Sequence, residues 1–510
     1  MTFIAMVAPW PRSATWARVL APVAVVFAVV QASGEGVRWQ LFPGLVLTGL
    51  CFVVWARDPR VRRSGRIDRA STPRIVFIPV VVLGALALAL STALALALPV
   101  FRFPLPQGPD AIGTVVLHWS DDTRHEVFGA DRIAHRELVA QIWYPAAAQA
   151  RTPPVAYIPR ADAVLTAMAR LHGFPPFCLT HIAYVKTHAT LSPAISPARP
   201  AYPVVIILEG LTGYRQMCLF EIEHLVSHGY VVVAIDQPGA AAMIVLPDGR
   251  TIAGRSKPAM DPLIQQSLAP AGDPPRLDGQ LVPAGIIPYF ASDVSFALDQ
   301  LARLNSGFGK SPIAGHLDLE RVGVSGVSFG GMVGAQACLQ DARLKACLVM
   351  DAAMPASVVT QGLRIPAMWI TRPTATMRLE RARAGGWTEK DIAQTQTTMR
   401  TVYERLPGDG FFVQVPGMFH VDLTDVALFS PLFSRAGFSG PIGAQRAHEI
   451  INAYALAFFD KTLKGRAPAL LEGSSRRYPD VRLEARRAPY FRITMRRAPM
   501  NLPSTENRAK

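Results

Sequence analysis

The segment that most constrains this chain is Arg321 to Gly331, R-V-G-V-S-G-V-S-F-G-G, with Ser328 at the centre of a G-x-S-x-G pentapeptide. An apolar, β-rich run leads into it, and the helix-forming stretch Met332 to Leu339 follows. Strand, sharp turn and helix in that order form a nucleophile elbow, which holds a serine hydroxyl above the end of a sheet. Such a turn demands glycine at 326 and 330, because side chains two positions either side of the serine have no space. Ser325 does not fit the frame, since its second glycine would fall on Val327. The pentapeptide alone recurs by chance, so the flanking strand and helix carry the functional reading.

Around this segment, apolar runs of strand length alternate with helical stretches. Glu137 to Tyr144, Val204 to Leu208, Tyr230 to Ile235, Val322 to Ser325, Ala346 to Met350, Ala367 to Ile370 and Phe411 to Val415 read as strands. Several lack polar alternation, as strands covered on both faces of a mainly parallel sheet do. Phe290 to Leu304 reads as a helix between them, and no internal repeat is present. The expected fold is α/β, a doubly wound, mainly parallel α/β-hydrolase sheet. Two Pro-rich stretches, Ala161 to Pro203 and Gln237 to Pro288, interrupt it as lids or as irregular surface.

The 510-residue chain has room for a membrane region besides this domain. Ile75 to Leu98 is uncharged and long enough to cross a hydrocarbon core of about 30 Å. Val19 to Ala32 and Leu41 to Ala56 are shorter apolar runs. Together they complete a three-helix anchor, or else the first is a signal segment with Val30-Gln31-Ala32 as its cleavage site. Arg57, Arg60, Arg62, Arg63, Arg66, Arg69 and Arg74 crowd the loop before the last run, against Asp58 and Asp68. The positive-inside rule makes that loop cytoplasmic and exports everything after Pro99. The Ala/Arg/Pro bias fits a bacterial inner-membrane protein whose catalytic domain is periplasmic or extracellular. The expected divisions are a membrane region over 1–100 with up to three transmembrane helices, a Pro-rich linker over 101–110, the catalytic domain over 111–470 and a basic tail over 471–510.

The net charge of +15 comes partly from the arginine loop and partly from the tail, Arg476 to Arg497. The tail is either attracted to anionic lipid head groups or is a solvated end. No nucleic-acid-binding motif accompanies it, so no nucleic-acid partner is expected. Cys178, Cys218, Cys338 and Cys347 lie in the exported part, and their spacing fixes no disulfide pairing. Neither C-x-x-C nor H-E-x-x-H occurs, so neither metal nor cofactor is expected.

A serine nucleophile needs a base, an orienting carboxylate and donors for the oxyanion. In this fold class their chain order is serine, acid, histidine. Only His420 and His448 follow Ser328. His448 falls in an amphipathic helix, whereas His420 lies in V-P-G-M-F-H-V-D-L-T-D, a loop just past the last expected strand, where a base belongs. For the acid, V-M-D-A-A-M puts Asp351 at a sheet edge, where its competing role is a helix N-cap or turn. Asp422 and Asp425 are nearer to His420 in sequence. The N–H of Phe329 is one oxyanion donor by construction. Leu211, in E-G-L-T-G-Y-R, is the candidate for the second, unless that segment is a plain glycine turn.

R-E-L-V-A-Q-I-W-Y-P at Arg136 to Pro145, E-G-L-T-G-Y-R, G-V-S-F-G-G, V-M-D-A-A-M and G-M-F-H-V-D-L-T-D together resemble the platelet-activating factor acetylhydrolase group of α/β-hydrolases. The likeness covers roughly Gly108 to Leu463. That group carries its acid one strand earlier than most hydrolases, where Asp351 falls. The resemblance implies metal-independent hydrolysis of short or oxidised acyl esters, often of phospholipids, as by a 1-alkyl-2-acetylglycerophosphocholine esterase. One departure is Glu209, which stands where such proteins commonly carry histidine.

The expectation is therefore a membrane-anchored serine ester hydrolase. Ser328 is its nucleophile, His420 its base and Asp351 its acid, with Leu211 and Phe329 as oxyanion donors and an ester or phospholipid in contact with membrane lipid as substrate. A general carboxylesterase or a polyester or xenobiotic esterase is the alternative, and a non-catalytic binding protein of the same fold is the rival of another class. Oligomeric state is not legible. With the arginine loop cytoplasmic, a periplasm-dependent reporter fused after Pro106 is expected to be active and one fused near Ser64 silent. The opposite pattern would sink the exported-domain topology.

Overall fold

Continuous Val/Ile/Leu runs flanked by glycine and polar turns settle as strands buried on both faces, and these runs supply the centre of the domain. The computed structural model describes residues 13–34, 38–57, 74–128, 134–147, 153–277, 279–307 and 311–487. Ten strands form one sheet: β1 (Ala111–His125), β2 (His135–Ala146), β3 (Thr190–Leu191), β4 (Tyr202–Leu208), β5 (Val231–Asp236), β6 (Leu317–Val327), β7 (Leu344–Met350), β8 (Ala367–Thr371), β9 (Gly410–Gln414) and β10 (Arg482–Arg486). Their order is β10-β9-β8-β7-β6-β4-β5-β2-β1-β3. The run from β9 to β5 is parallel, whereas β1, β2 and β10 pair antiparallel at the flanks.

Alternate residues of each central strand feed two cores. Val205 and Ile207 face Leu219–Ser227 and the C-terminal helix Ala444–Lys464, while Val204, Ile206 and Leu208 face Ile287–Asn305 and Phe329–Gln340. Burying both faces is what keeps these strands straight in register.

The seven expected strands coincide with β2 and β4 to β9, two of them extending one residue past the observed strand, at Tyr230 before β5 and at Val415 after β9, and the expected helix lies within Ile287–Asn305. Strands β1, β3 and β10 were not expected. The last of these means that the basic segment after 470 is folded as far as Arg487, with Arg482–Arg486 forming an edge strand on β9. The expected linker is docked too. Phe103 is buried, its ring 5.1 Å from that of Tyr157, and the Asp110 N–H donates to Ser227 O at 3.1 Å.

The two Pro-rich inserts carry structure of their own. The first holds the helix Ala161–Leu171, and the second holds a small ribbon (Met243–Val245 with Thr251–Ala253) and the helix Lys257–Leu268. All five cysteines are unpaired.

Among the described residues before the linker come three α-helices, Ser13–Gly34, Phe42–Arg57 and Arg74–Ala97. Two stretches, Trp39–Arg57 and Ile78–Ala97, are long and apolar enough to cross a membrane by length and composition. They meet where a small residue permits close approach: Ser91 Oγ accepts the Gly44 N–H at 2.9 Å and donates to Gln40 O at 3.1 Å. The arginine loop lies outside the described residues except for its ends, Arg57 and Arg74.

A buried ion network ties the outer strands to the domain. Arg136, fully buried, donates to both carboxylate oxygens of Asp293 on Ile287–Asn305, to Glu126 and to Pro238 O. Removing one member of such a set leaves its partners charged and unpaired in the core. Arg136→Met is accordingly expected to cost about 3–5 kcal/mol of unfolding free energy. Urea unfolding monitored by circular dichroism tests this, and an unchanged midpoint would show that the network contributes nothing.

Candidate active site

Close backbone approach builds the turn at Ser328. A Cβ on Gly326 would lie 2.2 Å from Gly330 O, and one on Gly330 would lie 2.3 Å from Leu208 O, so neither position admits a side chain. Between them Ser328 takes φ 54° and ψ −119°, a conformation rare for L-residues and characteristic of strain at functional turns. It is held there by its N–H, which donates to Met350 O at 2.9 Å, and by the helix Phe329–Gln340 that starts immediately after it. Ser328 is half-buried.

Asp351 leaves the end of β7, the strand beside β6, also at positive φ (50°). Its carboxylate is buried. Oδ2 lies 2.7 Å from His420 Nδ1 and 2.7 Å from Arg372 Nη2, and Oδ1 accepts the Thr371 hydroxyl at 2.8 Å. Burial is the largest single influence and opposes the charge, but the Arg372 guanidinium and then His420 together outweigh it and hold Asp351 well below the usual carboxylate range. The structure thus brings Asp351 and His420 together across the sheet ends, from residues far apart in the chain. His420 opens a short 3-10 turn, His420–Leu423, past β9, and keeps a quarter of its side chain exposed.

The nearby aspartates are committed elsewhere. Asp422 accepts the N–H groups of Phe419 and Gly440 and the Ser439 hydroxyl. Asp425 accepts those of Leu219 and Phe220 and the Tyr157 hydroxyl. His448 is buried in the C-terminal helix, stacked 3.8 Å from the Phe220 ring and bonded to Thr424 O, and burial lowers its pKa to about 4.

On the other side of Ser328 runs the turn after β4. A Cβ on Gly210 would sit 3.6 Å from Ser328 Cβ. Thr212 and Gly213 donate their N–H groups to Ala240 O and Gly210 O, a use made of neither Leu211 N–H nor Phe329 N–H among the described residues. Thr212 holds φ 63°, its hydroxyl 3.0 Å from His172 Nε2. Glu209 is buried beneath this turn, and burial first, then Asp236, pushes its carboxyl well above the ordinary range.

The sequence reading missed Arg372, Glu380, Trp387 and His172. Arg372 and Trp387 follow a strand end and a Gly-Gly pair that read as turns, and His172 lies in an insert without periodicity. Among the described residues no group of three or more His, Cys, Asp or Glu side chains is placed to hold a metal ion.

No family model and no curated protein matches the chain. Among solved structures it is similar to a ferulic acid esterase from Streptomyces cinnamoneus, 25% identical, with a TM-score of 0.57 over 76% of this chain and 99% of that one. That likeness and the sheet order make the domain an α/β-hydrolase fold.

Because Asp351 alone of the three aspartates meets the imidazole, Asp351→Asn is expected to lower the turnover number of an ester substrate on the order of 10⁴-fold through the wrong tautomer. Asp422→Asn and Asp425→Asn each keep one acceptor oxygen and do not touch the imidazole, so activity per folded molecule should stay within about tenfold of wild type even where stability falls. Rates normalised to folded protein decide it: an active Asp351→Asn beside a dead loop variant would reassign the acid.

Proposed function

We propose that this protein is a membrane-anchored serine hydrolase of carboxylic esters that works through an acyl-enzyme. The observation that carries the reading is the 2.7 Å contact of His420 Nδ1 with Asp351, made at the sheet ends next to a serine in a strained elbow. With Nδ1 engaged, Nε2 is the nitrogen left to take the Ser328 proton as Oγ attacks the ester carbonyl. Leu211 and Phe329 offer N–H groups to the tetrahedral oxyanion. On collapse the alcohol leaves with the proton from the imidazolium. Water then attacks the acyl-serine by the same route, releasing the acid and restoring Ser328.

Short-acyl or phospholipid-like esters are the proposed substrates, with an exported catalytic domain. The ends of the apolar helices support this placement. The Trp39 ring lies 5.1 Å from that of exposed Phe177, and Ser430 Oγ donates to Ala97 O at 2.6 Å. Phe177 is five residues beyond His172, which touches the turn after β4, and Phe438 is exposed one residue before Ser439, the partner of Asp422. Phe177 thus adjoins the anchor, and Phe438 adds exposed apolar surface beside Ser439, as access from a lipid phase requires. A general carboxylesterase is the second reading, favoured by the likeness to a ferulic acid esterase.

Ser328→Ala is expected to lower ester turnover on the order of 10⁴-fold or more with folding intact, and to abolish labelling by a fluorophosphonate probe. Near-normal hydrolysis by that variant would refute the assignment. A panel varying acyl length and head group separates the two substrate readings. Preference for short acyl chains on phospholipid favours the first, and preference for soluble aryl esters the second.

A further inference from the structure

The contacts around His420 and Asp351 close into a ring. Asp351 Oδ2 meets His420 Nδ1 and Arg372 Nη2, each at 2.7 Å, and Arg372 Nη1 bonds Glu380 Oε2. The same Glu380 oxygen accepts the backbone N–H of His420 at 3.1 Å. Trp387 covers the ring: its Nε1 donates to Glu380 Oε1 at 3.3 Å, its rings lie 5.2 Å from the His420 imidazole, and the Arg372 guanidinium carbon is 4.9 Å from it. Arg372 is fully buried and Glu380 nearly so.

Nothing in the hydrolytic mechanism calls for an arginine on the acid. A guanidinium against Asp351 satisfies the carboxylate that must stabilise the imidazolium, and so opposes the charge that develops on His420. Glu380 corrects this. Arg372 and Asp351 alone sum to zero, and with Glu380 the set regains one negative charge, as an unpaired aspartate would have. Arg372 then fixes the aspartate's orientation without cancelling its field, and the His420 backbone is tied to the same carboxylate. We propose that Glu380 is a positioning residue for the hydrolytic site, restoring net negative charge beneath the imidazole and setting base and acid in register through Arg372. This rests on the serine-hydrolase reading above.

The charged groups facing His420 are Asp351 from the end of β7, Arg372 from the end of β8 and Glu380 from the helix Thr374–Ala384; Asp422, on its own turn, is bonded to Phe419, Ser439 and Gly440 instead, and burial raises its pKa. The test is the pH dependence of kcat and KM on a soluble short-chain ester, with the rate of fluorophosphonate labelling measured in parallel. Glu380→Gln keeps the shape and one acceptor for the His420 N–H but removes the charge. It is expected to lower kcat about tenfold or more with KM little changed. It should also move the acid limb of the profile about one unit to lower pH, because less negative charge disfavours the imidazolium. Arg372→Met should move the limb the other way, by about as much.

Glu380→Asp retains the charge and serves where the glutamine variant folds poorly. Its limb should stay at the wild-type pH even where kcat falls. A common loss at all pH values with an unmoved limb in both charge-removing variants would reduce the ring to a structural brace and overturn the proposal, as would a Glu380→Gln enzyme equal to wild type. Wild-type protein that neither hydrolyses the ester nor takes the probe would instead overturn the hydrolase reading, and the positioning role with it.

Discussion

The candidate site depends on one close approach, that of the Gly326–Gly330 turn to the end of β4. With Gly330 against Leu208 O and Gly326 against Gly330 O, the elbow has no slack. Ser328 is kept in a conformation that costs on the order of 1–3 kcal/mol. The same approach brings Gly210 beside Ser328, and the bond from Ser328 N–H to Met350 O fixes β7 and therefore Asp351. Three segments of the candidate site are thus placed by sheet register. Register slips by whole residues or not at all, so this gives a more precise constellation than loops of the same length would.

What was legible in the sequence follows from which signals are local. Strands β4 to β9 announce themselves because burial on both faces demands unbroken apolar runs. β1 does not, because its second half reads H-W-S-D-D-T-R-H and exposes alternate residues at the flank of the sheet. β10 reads R-L-E-A-R, and its order comes from ladder bonds to β9 and the pairing of Glu484 with Arg400 rather than from burial, so nothing in its composition marks it as folded. Ser328, Asp351 and His420 could be read from a turn motif, chain order and strand ends. Arg372 and Glu380 could not. The first follows a strand as R-P-T, and the second sits in T-A-T-M-R-L-E-R-A-R-A, a helix whose charges look like a solvated face. Their burial is a property of the tertiary ring and leaves no periodic trace.

The distribution of charge about Ser328 gives Glu209 a meaning that the sequence withheld. A carboxylate beside the oxyanion turn would oppose the negative charge that builds there in acyl transfer. Its side chain is instead buried under the turn, with Oε1 taking the Gln237 N–H at 3.3 Å, and burial together with Asp236 favours its neutral form. Asp236 is in turn paired with Arg215. The oxyanion side therefore carries a carboxyl whose charge burial disfavours and a compensated ion pair, while the imidazole side carries two carboxylates against one guanidinium. A field negative under the histidine and close to neutral at the oxyanion is the asymmetry that serine acyl transfer needs, since positive charge develops on one side of the serine as negative charge develops on the other.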